Sequence, residues 1–243
     1  MKSARMRAFF LSLVLLAILA LAAWQVLRPP SRQVLAGKHP RLMLLTSLPL
    51  IFNEGFSLHG GGSPALSALR AHYAVVPIST ASQAELGKAR ILLMAQPLPQ
   101  TAANLVELDA WVRSGGRVLL LADPMLAWPS DRPLGDPLRP PAMFMDTGLL
   151  SHWGLRLDAP DAEGPQEREL GGYEVLTVSP GTLHGGCAIT GDMLVARCRI
   201  GRGEAIIVAD ADFLNVAELG PKGSVNLEGL LAELGALESP PIR

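Results

Sequence analysis

Hydrophobic residues along the chain fall into two alternating patterns. Runs such as Arg41–Leu50, Ala89–Pro97 and Arg117–Pro124 are almost continuously apolar, which is typical of strands buried on both faces of a sheet. Between these runs, apolar residues recur every three or four positions, as over residues 63–73 and 101–116, and this spacing predicts helices. Strands that alternate with helices favour right-handed crossovers. The sequence therefore predicts an α/β fold with a doubly wound, mostly parallel sheet.

Local signals mark the ends of the first two helices. Ser63 followed by Pro64 predicts an N-cap with proline at the first helical position. The apolar run Ala74–Ile78 then predicts a further strand. Gly115-Gly116 predicts the end of the second helix, because glycine readily adopts the backbone conformation that terminates helices.

The second half of the chain has a different pattern. Residues 125–172 are proline-rich and lack periodicity, so we expect an ordered excursion over the carboxyl edge of the sheet, with one short helix around 147–153. Residues 173–200 predict short β segments with turns at Pro180-Gly181 and Gly191-Asp192, which gives the domain a β-rich C-terminal portion. A buried strand over 203–213 and an amphipathic helix over Ser224–Leu237 complete the prediction.

The N-terminal segment Ala8–Leu27 is apolar over a length that matches the hydrocarbon thickness of a bilayer. It predicts one transmembrane helix, with a cleaved signal peptide as the alternative because Ala20-Leu21-Ala22 has a small-x-small pattern. We expect a protein of the bacterial inner membrane with a cytoplasmic N-terminus and a periplasmic main domain. The predicted parts are a tail and anchor over 1–28, a linker over 29–40 and a single α/β domain over 41–243.

Composition narrows the set of partners and cofactors. The net charge is -1 and only 18% of the 243 residues are charged, so no basic face is available for nucleic acid. No nucleotide-binding glycine motif is present and the histidines lack metal-ligand spacing, so we expect no cofactor. The membrane, through Ala8–Leu27, and a membrane or envelope protein are the expected partners.

Polar residues at predicted strand ends are the candidates for function, because working groups in a parallel sheet gather beyond the carboxyl ends of its strands. The aspartates among them predict either a divalent-cation site or caps for turns and helices, and the capping interpretation is favoured. The candidates at these ends are Gln96, Asp123, Asp210, Asp212 and Asn215.

A glycine-rich loop after the first strand is a second candidate site. It contains His59, Gly60, Gly61, Gly62 and Ser63. Glycines let backbone amides approach a ligand closely, and the following helix directs its positive end at the loop. The pattern predicts a contact to a polar or anionic ligand, with a merely flexible loop as the alternative.

The two cysteines, Cys187 and Cys198, face each other on antiparallel strands only if a four-residue loop, 191–194, joins those strands. In an oxidising compartment such a pair predicts a disulfide. Two buried thiols are the alternative, and this interpretation is favoured.

Two motifs carry a resemblance to known proteins. GGRVLLLADP over 115–124 follows a helix, and GRGEAIIVADADFLN over 201–215 precedes one. The chain from Arg41 to Leu237 resembles the class I glutamine amidotransferase-like fold, a flavodoxin-like arrangement, and more closely the periplasmic auxiliary domain of GldG-type ABC transport and gliding-associated proteins. That resemblance implies a non-catalytic accessory domain beside a membrane transporter.

The catalytic elbow of the amidotransferase-like fold is missing from this sequence. The resemblance implies a Gly-x-Cys-x-Gly turn after the GGR strand, but Ala122-Asp123-Pro124 occupies that place. Aspartate cannot perform the acyl chemistry of a thiol, and proline has no backbone N–H for an oxyanion hole. We therefore expect a binding domain, with a small-ligand sensor as the alternative and a metal-assisted hydrolase as a third possibility.

Overall fold

The computed structural model describes residues 39–52 and 62–238, and the chain from Pro40 onwards forms one compact unit. The predicted anchor, the linker up to residue 38 and the loop residues His59, Gly60 and Gly61 lie outside the described residues. Among the helices of the described part, none has the length and apolar character that crossing a bilayer requires.

A seven-stranded sheet organises the domain. Its order is β2-β1-β3-β4-β11-β10-β9, and the five strands from β2 to β11 are mutually parallel, whereas β10 and β9 are antiparallel. The sheet strands are β1 (Arg41–Thr46), β2 (Ala74–Pro77), β3 (Ile91–Ala95), β4 (Arg117–Leu121), β9 (Ala188–Thr190), β10 (Val195–Ile200) and β11 (Gly203–Val208). The predicted α/β fold with a largely parallel sheet is confirmed, and the parallel part has one of the common doubly wound strand orders.

Among the described residues, helices connect the first four parallel strands and also follow β4 and β11. They are α1 (Pro64–His72), α2 (Gln83–Leu86), α3 (Ala102–Arg113), α4 (Leu149–His152), α5 (Val216–Leu219) and α6 (Gly223–Glu238), with 3₁₀ turns at Asp212–Leu214 and Gly220–Lys222. The predicted N-cap is present, since the Ser63 hydroxyl accepts a hydrogen bond from the Leu66 amide at 3.0 Å, with Pro64 at the first helical position. The short helix α2 was not predicted from the sequence.

The proline-rich excursion contains more regular structure than the sequence predicts. Within 125–172, β5 (Leu155–Asp158) and β6 (Pro165–Leu170) form antiparallel pairs with β8 (Thr182–Gly185) and β7 (Tyr173–Val178). The excursion is ordered, but the sequence pattern does not predict these two strands. In β6 the less exposed face carries Gln166 and Arg168 beside the buried Leu170, so the apolar alternation of a half-buried strand is missing.

A disulfide joins Cys187 to Cys198, whose Cα atoms lie 4.9 Å apart. The register pairs Thr190 with Val195, so the four residues 191–194 form the connecting loop and the cysteines stand opposite each other. The expectation of two buried thiols is therefore wrong, because the loop has the one length that brings the two sulfur atoms together.

The last helix brings an acidic side chain into the core. Glu233 of α6 is buried, and its carboxylate lies 2.7 Å from the guanidinium Nη2 of Arg197 on β10. The pair is the charged contact between α6 and the antiparallel part of the sheet. A buried carboxylate that loses its cation remains desolvated without compensation.

Replacing Arg197 by methionine should therefore lower the free energy of unfolding by about 2–4 kcal/mol. Urea unfolding followed by circular dichroism measures the change. Arg199 is the matched control, because it is exposed on the same strand and Arg199→Met should change stability by less than about 0.5 kcal/mol. Equal losses in the two variants would contradict the role of the Arg197–Glu233 pair.

Candidate functional site

Asp123 lies two residues after the end of β4, where the predicted resemblance to amidotransferase-like proteins would place a nucleophile. The residue is fully buried, and its carboxylate oxygens accept hydrogen bonds from three backbone amides, at Ala211 (2.9 Å), Asp212 (3.3 Å) and Met125 (2.8 Å). Its own amide and carbonyl are also bonded. Asp123 therefore joins the ends of β4 and β11 and presents no free oxygen to a substrate.

Two further aspartates follow β11. Asp210 is fully buried and its carboxylate accepts from the amides of Phe213 (2.9 Å) and Val178 (3.0 Å), which caps the 3₁₀ turn and holds the end of β7. Asp212 is 3% exposed and its Oδ2 accepts from the Ala127 amide at 2.6 Å. Three carboxyl groups thus hold together three separate segments of the chain, residues 123–127, the end of β7 and residues 210–213.

Burial changes the acidity of all three groups. It raises the pKa of the Asp123 carboxyl to about 6 and that of Asp212 to about 7, against the opposing effect of their backbone donors. Burial and the neighbouring charges of Asp123 and Asp212 raise the pKa of Asp210 well above its usual range. The cluster therefore retains protons at pH values where ordinary aspartates are ionised.

The aspartates do not form a cation site in the structure. Among the described residues, no group of three or more histidine, cysteine, aspartate or glutamate side chains is placed to hold a metal ion. The oxygens of Asp123 and Asp210 face backbone amides, which a cation would have to displace. The observed contacts are those of caps.

Gln96 follows β3 and lies at the same edge of the sheet as the aspartates. Its backbone adopts φ 43°, a left-handed conformation that costs a non-glycine residue about 1–2 kcal/mol. The fully buried side chain donates from Nε2 to the carbonyls of Asp123 and Pro141, both at 3.2 Å, and accepts from the Asp123 amide at 3.0 Å. The Ser47 hydroxyl donates to the Gln96 carbonyl. The strained residue thus clamps β1, β4 and the excursion together.

An Ω-loop, residues 126–142, projects from this clamp. Its ends meet where the Leu126 amide donates to the Ala142 carbonyl at 2.9 Å, and Asp212 holds Ala127 at the same neck. Inside the loop, Asp136 accepts from the Leu138 amide at 2.8 Å and pairs with Arg132 at 3.5 Å. The loop is therefore ordered by hydrogen bonds at its base and by its own polar contacts.

Large hydrophobic side chains are exposed on and around the Ω-loop. Leu134 is 89% exposed and Leu138 is 66% exposed. Of the eleven large hydrophobic residues that are exposed in the described part of the chain, seven follow the ends of β1, β3 or β4, namely Phe52, Leu98, Met125, Leu134, Leu138, Met143 and Met145. Concentrated apolar exposure of this kind marks interaction surfaces. We call this set the carboxyl-edge apolar surface.

A cavity of about 390 Å³ opens beside the Ω-loop, between the start of α1 and the segment after β11. It is lined by Gly62, Ser63, Trp128, Asn215 and Glu218, among other residues. A smaller cavity of about 190 Å³ shares Asn215 and Glu218 with it and has Asp212 in its wall. Two neighbouring cavities with mixed polar and apolar linings therefore meet at this end of the sheet.

The structure separates the predicted site residues into two groups. Gly62, Ser63, Asn215 and Asp212 line the cavities, whereas Gln96, Asp123 and Asp210 are buried and bonded to backbone. The last three are not among the residues that line these two cavities, and a binding role for any of the predicted residues stays a prediction. Periodicity alone cannot distinguish a strand-end side chain that turns back into the fold from one that faces a cavity.

The sequence pattern does not show which other residues at this edge are exposed or line a cavity. Trp128 and Phe144 are partly buried against the core, and Leu149 and Trp153 are buried, so these apolar residues of the excursion do not form its exposed surface. Glu218 was missed because it lies inside a helix that begins after the DxDFxN motif. The exposed Leu134 lies in a proline-rich sequence, LGDPLRPP, whose lack of periodicity was the available signal.

Comparison with known proteins gives structural likeness alone. No family model and no curated protein matches the sequence. The exo-beta-1,4-mannosidase Op5Man5 from Opitutaceae bacterium strain TAV5 is 15% identical and superposes with a TM-score of 0.50 over 82% of this chain and 36% of its own length. This chain thus spans little more than a third of that enzyme, and the likeness shows a shared fold.

Two further solved structures cover most of this chain. The cytoplasmic protein STM3548 from Salmonella typhimurium is 12% identical, with a TM-score of 0.49 over 81% of this chain and 98% of its own length. A ThuA-like protein from Bacteroides uniformis is 8% identical, with a TM-score of 0.45 over 84% and 94% of the two chains. These likenesses carry no functional assignment, and the resemblance of this chain to transport-associated proteins stays a prediction.

Changing Gln96 to glutamate should destabilise the carboxyl edge without changing the volume of the side chain. The variant replaces two donated hydrogen bonds by repulsion between a carboxylate and two carbonyls, so we expect a loss of about 2–4 kcal/mol in the free energy of unfolding at neutral pH. Urea unfolding measures it. Gln83→Glu, the same amide-to-carboxylate change at an exposed position at the start of α2, is the control, and even with Glu107 nearby it should change stability by less than about 0.5 kcal/mol. An unchanged free energy of unfolding in Gln96→Glu would contradict the stabilising role of the Gln96 hydrogen bonds.

Proposed function

We propose that this protein is a membrane-anchored, non-catalytic accessory domain that binds a membrane or envelope protein through its carboxyl-edge apolar surface. The single observation that carries the proposal is the exposure of leucine side chains on an ordered Ω-loop and of methionine side chains in the segments that flank it. A loop held at its base by Gln96 and Asp212 presents these side chains at little entropic cost on binding. The predicted tether over Ala8–Leu27 would raise the effective concentration of the domain near its partner.

The state of Asp123 supports a role without catalysis. Each polar atom of this residue is bonded to the backbone or to Gln96, and Pro124 has no backbone N–H to donate. Chemistry at this turn would require the links between β4 and β11 to break. A metal-assisted hydrolase is disfavoured for the same reason, because the carboxylates that it would need already bind amides.

The character of the apolar surface favours a protein partner. Three of its seven side chains, Met125, Met143 and Met145, are methionines, whose flexible thioethers adapt to the shape of an apolar partner. The charged groups of the Ω-loop are Asp131, Arg132, Asp136 and Arg139, which balance in sign. Attraction to anionic lipid or nucleic acid needs an excess of basic residues, and this loop lacks one. An auxiliary role beside an ABC-type transporter is the finer form of this proposal, and it rests on the resemblance of the two sequence motifs.

Site-specific photo-crosslinking in the native membrane tests the proposal with the full-length chain. A photoreactive amino acid at Leu138, on the Ω-loop, should give a discrete adduct with one integral membrane or envelope protein, which mass spectrometry identifies. Val106 is the matched control, because it is 69% exposed on α3 and lies outside the apolar surface. Adducts that are the same at both positions, or absent at Leu138, would contradict binding through this surface.

A turnover assay tests the absence of catalysis separately. The purified full-length protein should release no product from a panel of amide and ester substrates above the rate of a heat-denatured sample. Hydrolysis that disappears in Asp123→Ala while the variant keeps its circular dichroism spectrum would overturn the non-catalytic assignment.

The cavity of about 390 Å³ favours a second function, the sensing of a small polar ligand. Its size is suitable for a metabolite, and Trp128 with Ser63 and Asn215 provides an aromatic face and hydrogen-bonding groups. Thermal melts with defined amino acids and sugars measure binding by stabilisation. An increase in melting temperature that is lost in Trp128→Ala would favour the sensor over the accessory domain.

A further inference from the structure

Asp212 has one carboxyl oxygen that the fold does not use. The side chain is 3% exposed, and its Oδ2 accepts a hydrogen bond from the Ala127 amide at 2.6 Å. Within the described part of the chain, no donor forms a hydrogen bond with the other oxygen, Oδ1. Asp212 also belongs to the wall of the cavity of about 190 Å³. A buried carboxyl group that borders a cavity and has an oxygen without a donor is suited to accept a hydrogen bond from a bound molecule.

Asn215 and Glu218 lie beside Asp212 in the same wall. The Asn215 amide donates to the Asp212 carbonyl at 2.8 Å, and the Glu218 amide donates to the Asn215 carbonyl at 3.0 Å. Side chains three residues apart on such turns lie on the same side of the chain. Asn215 and Glu218 also line the larger cavity, of about 390 Å³. Two carboxyl groups and one amide therefore follow each other along the two adjoining cavities.

The charged groups of both linings are acidic. Glu218 is exposed, and Asp131 borders the larger cavity. Among the described residues, neither lining contains a lysine, an arginine or a histidine. Trp128 gives the larger cavity an aromatic wall, and the face of an indole ring attracts organic cations. These charges disfavour an anionic ligand and favour a cation.

A primary ammonium group fits this lining better than a metal ion does. It has three N–H donors, for which the side chains of Asp212, Asn215 and Glu218 provide oxygen acceptors. The described residues include no group of three or more histidine, cysteine, aspartate or glutamate side chains that is placed to hold a metal ion. The larger cavity also has apolar walls, from Trp128, Leu214 and Val216, against which the carbon chain of an amine is removed from water.

We propose that the two adjoining cavities bind a small aliphatic amine, whose ammonium group is held by Asp212 and Glu218 and whose carbon chain packs against Trp128. This inference rests on the small-ligand function proposed above for the larger cavity, and it names the chemical class of the ligand. It does not depend on which protein binds the carboxyl-edge apolar surface.

Isothermal titration calorimetry of the full-length protein in detergent micelles tests the ligand class. The two probes are linear diaminobutane, with one amino group at each end, and the butanediol in which hydroxyl groups replace both amino groups. At about pH 8 the diamine is protonated, and Asp212, whose pKa burial raises to about 7, is ionised. We expect the diamine to bind at least about tenfold more tightly than the diol, because charge-assisted hydrogen bonds are stronger than neutral ones. Equal affinities, or no heat of binding with the diamine, would overturn the inference.

Asp212→Asn removes the charge but keeps an oxygen acceptor for the Ala127 amide, and its affinity for the diamine should fall at least about tenfold. Glu163→Gln is the matched control, because Glu163 is exposed, borders neither cavity and loses the same unit of charge. Its affinity should stay within about twofold of the wild type. Equal losses in both variants would indicate attraction by net charge alone and would reject the site. If Asp212→Asn does not fold, Glu218→Gln replaces it, and an unchanged affinity in that variant counts against the proposal.

Two further measurements separate the ligand class from the small-ligand function itself. Thermal stabilisation by a neutral sugar that is lost in Trp128→Ala, without any binding of the diamine, would keep the cavity as a ligand site but overturn its assignment to amines. Binding of a lysine-containing peptide without binding of the free diamine would assign the cavity to a protein partner and would likewise overturn the inference.

Discussion

The carboxyl edge of this domain depends on one kind of interaction, the hydrogen bond from a backbone amide to a buried aspartate. Parallel strands end in amides and carbonyls that have no partner in the ladder, and these groups must be satisfied when the edge is covered. Asp123 and Asp210 satisfy several of them and thereby fix β4, β7 and β11 relative to each other. Without these contacts the 3₁₀ turn after β11 and the start of the excursion would lose their anchors.

The strained conformation of Gln96 is the counterpart of this network on the next strand. A residue with φ 43° persists only where its surroundings over-determine it, and here three side-chain hydrogen bonds do so. Glycine would relieve the strain but would leave the amide of Asp123 and the carbonyl of Pro141 without these partners. The fold therefore retains a costly backbone geometry in order to hold the base of an exposed loop.

Much of the fold was predictable from the sequence, because buried parallel strands produce continuous apolar runs and helices carry explicit start signals such as Ser63-Pro64. The hairpin formed by β6 and β7 was not predicted, because β6 is polar at most of its positions and lacks the apolar alternation of a half-buried strand. The turn itself is local, since only Gly171 and Gly172 separate the paired residues Leu170 and Tyr173. The candidate site was predicted in position but not in role. Sequence places Gln96 and Asp123 at strand ends, but only the three-dimensional structure shows that their side chains turn inwards.

Because of the disulfide between Cys187 and Cys198, the stability of the β9 edge of the sheet depends on the redox state of the compartment in which the protein folds. It closes a short loop with a sequence separation of 11, for which chain-entropy arguments give about 3 kcal/mol of stabilisation. The outermost strand, β9, has three residues and few hydrogen bonds of its own. In a reducing cytosol this strand would fray first and would expose β10 as a template for intermolecular pairing, whereas export to an oxidising compartment closes that route to aggregation.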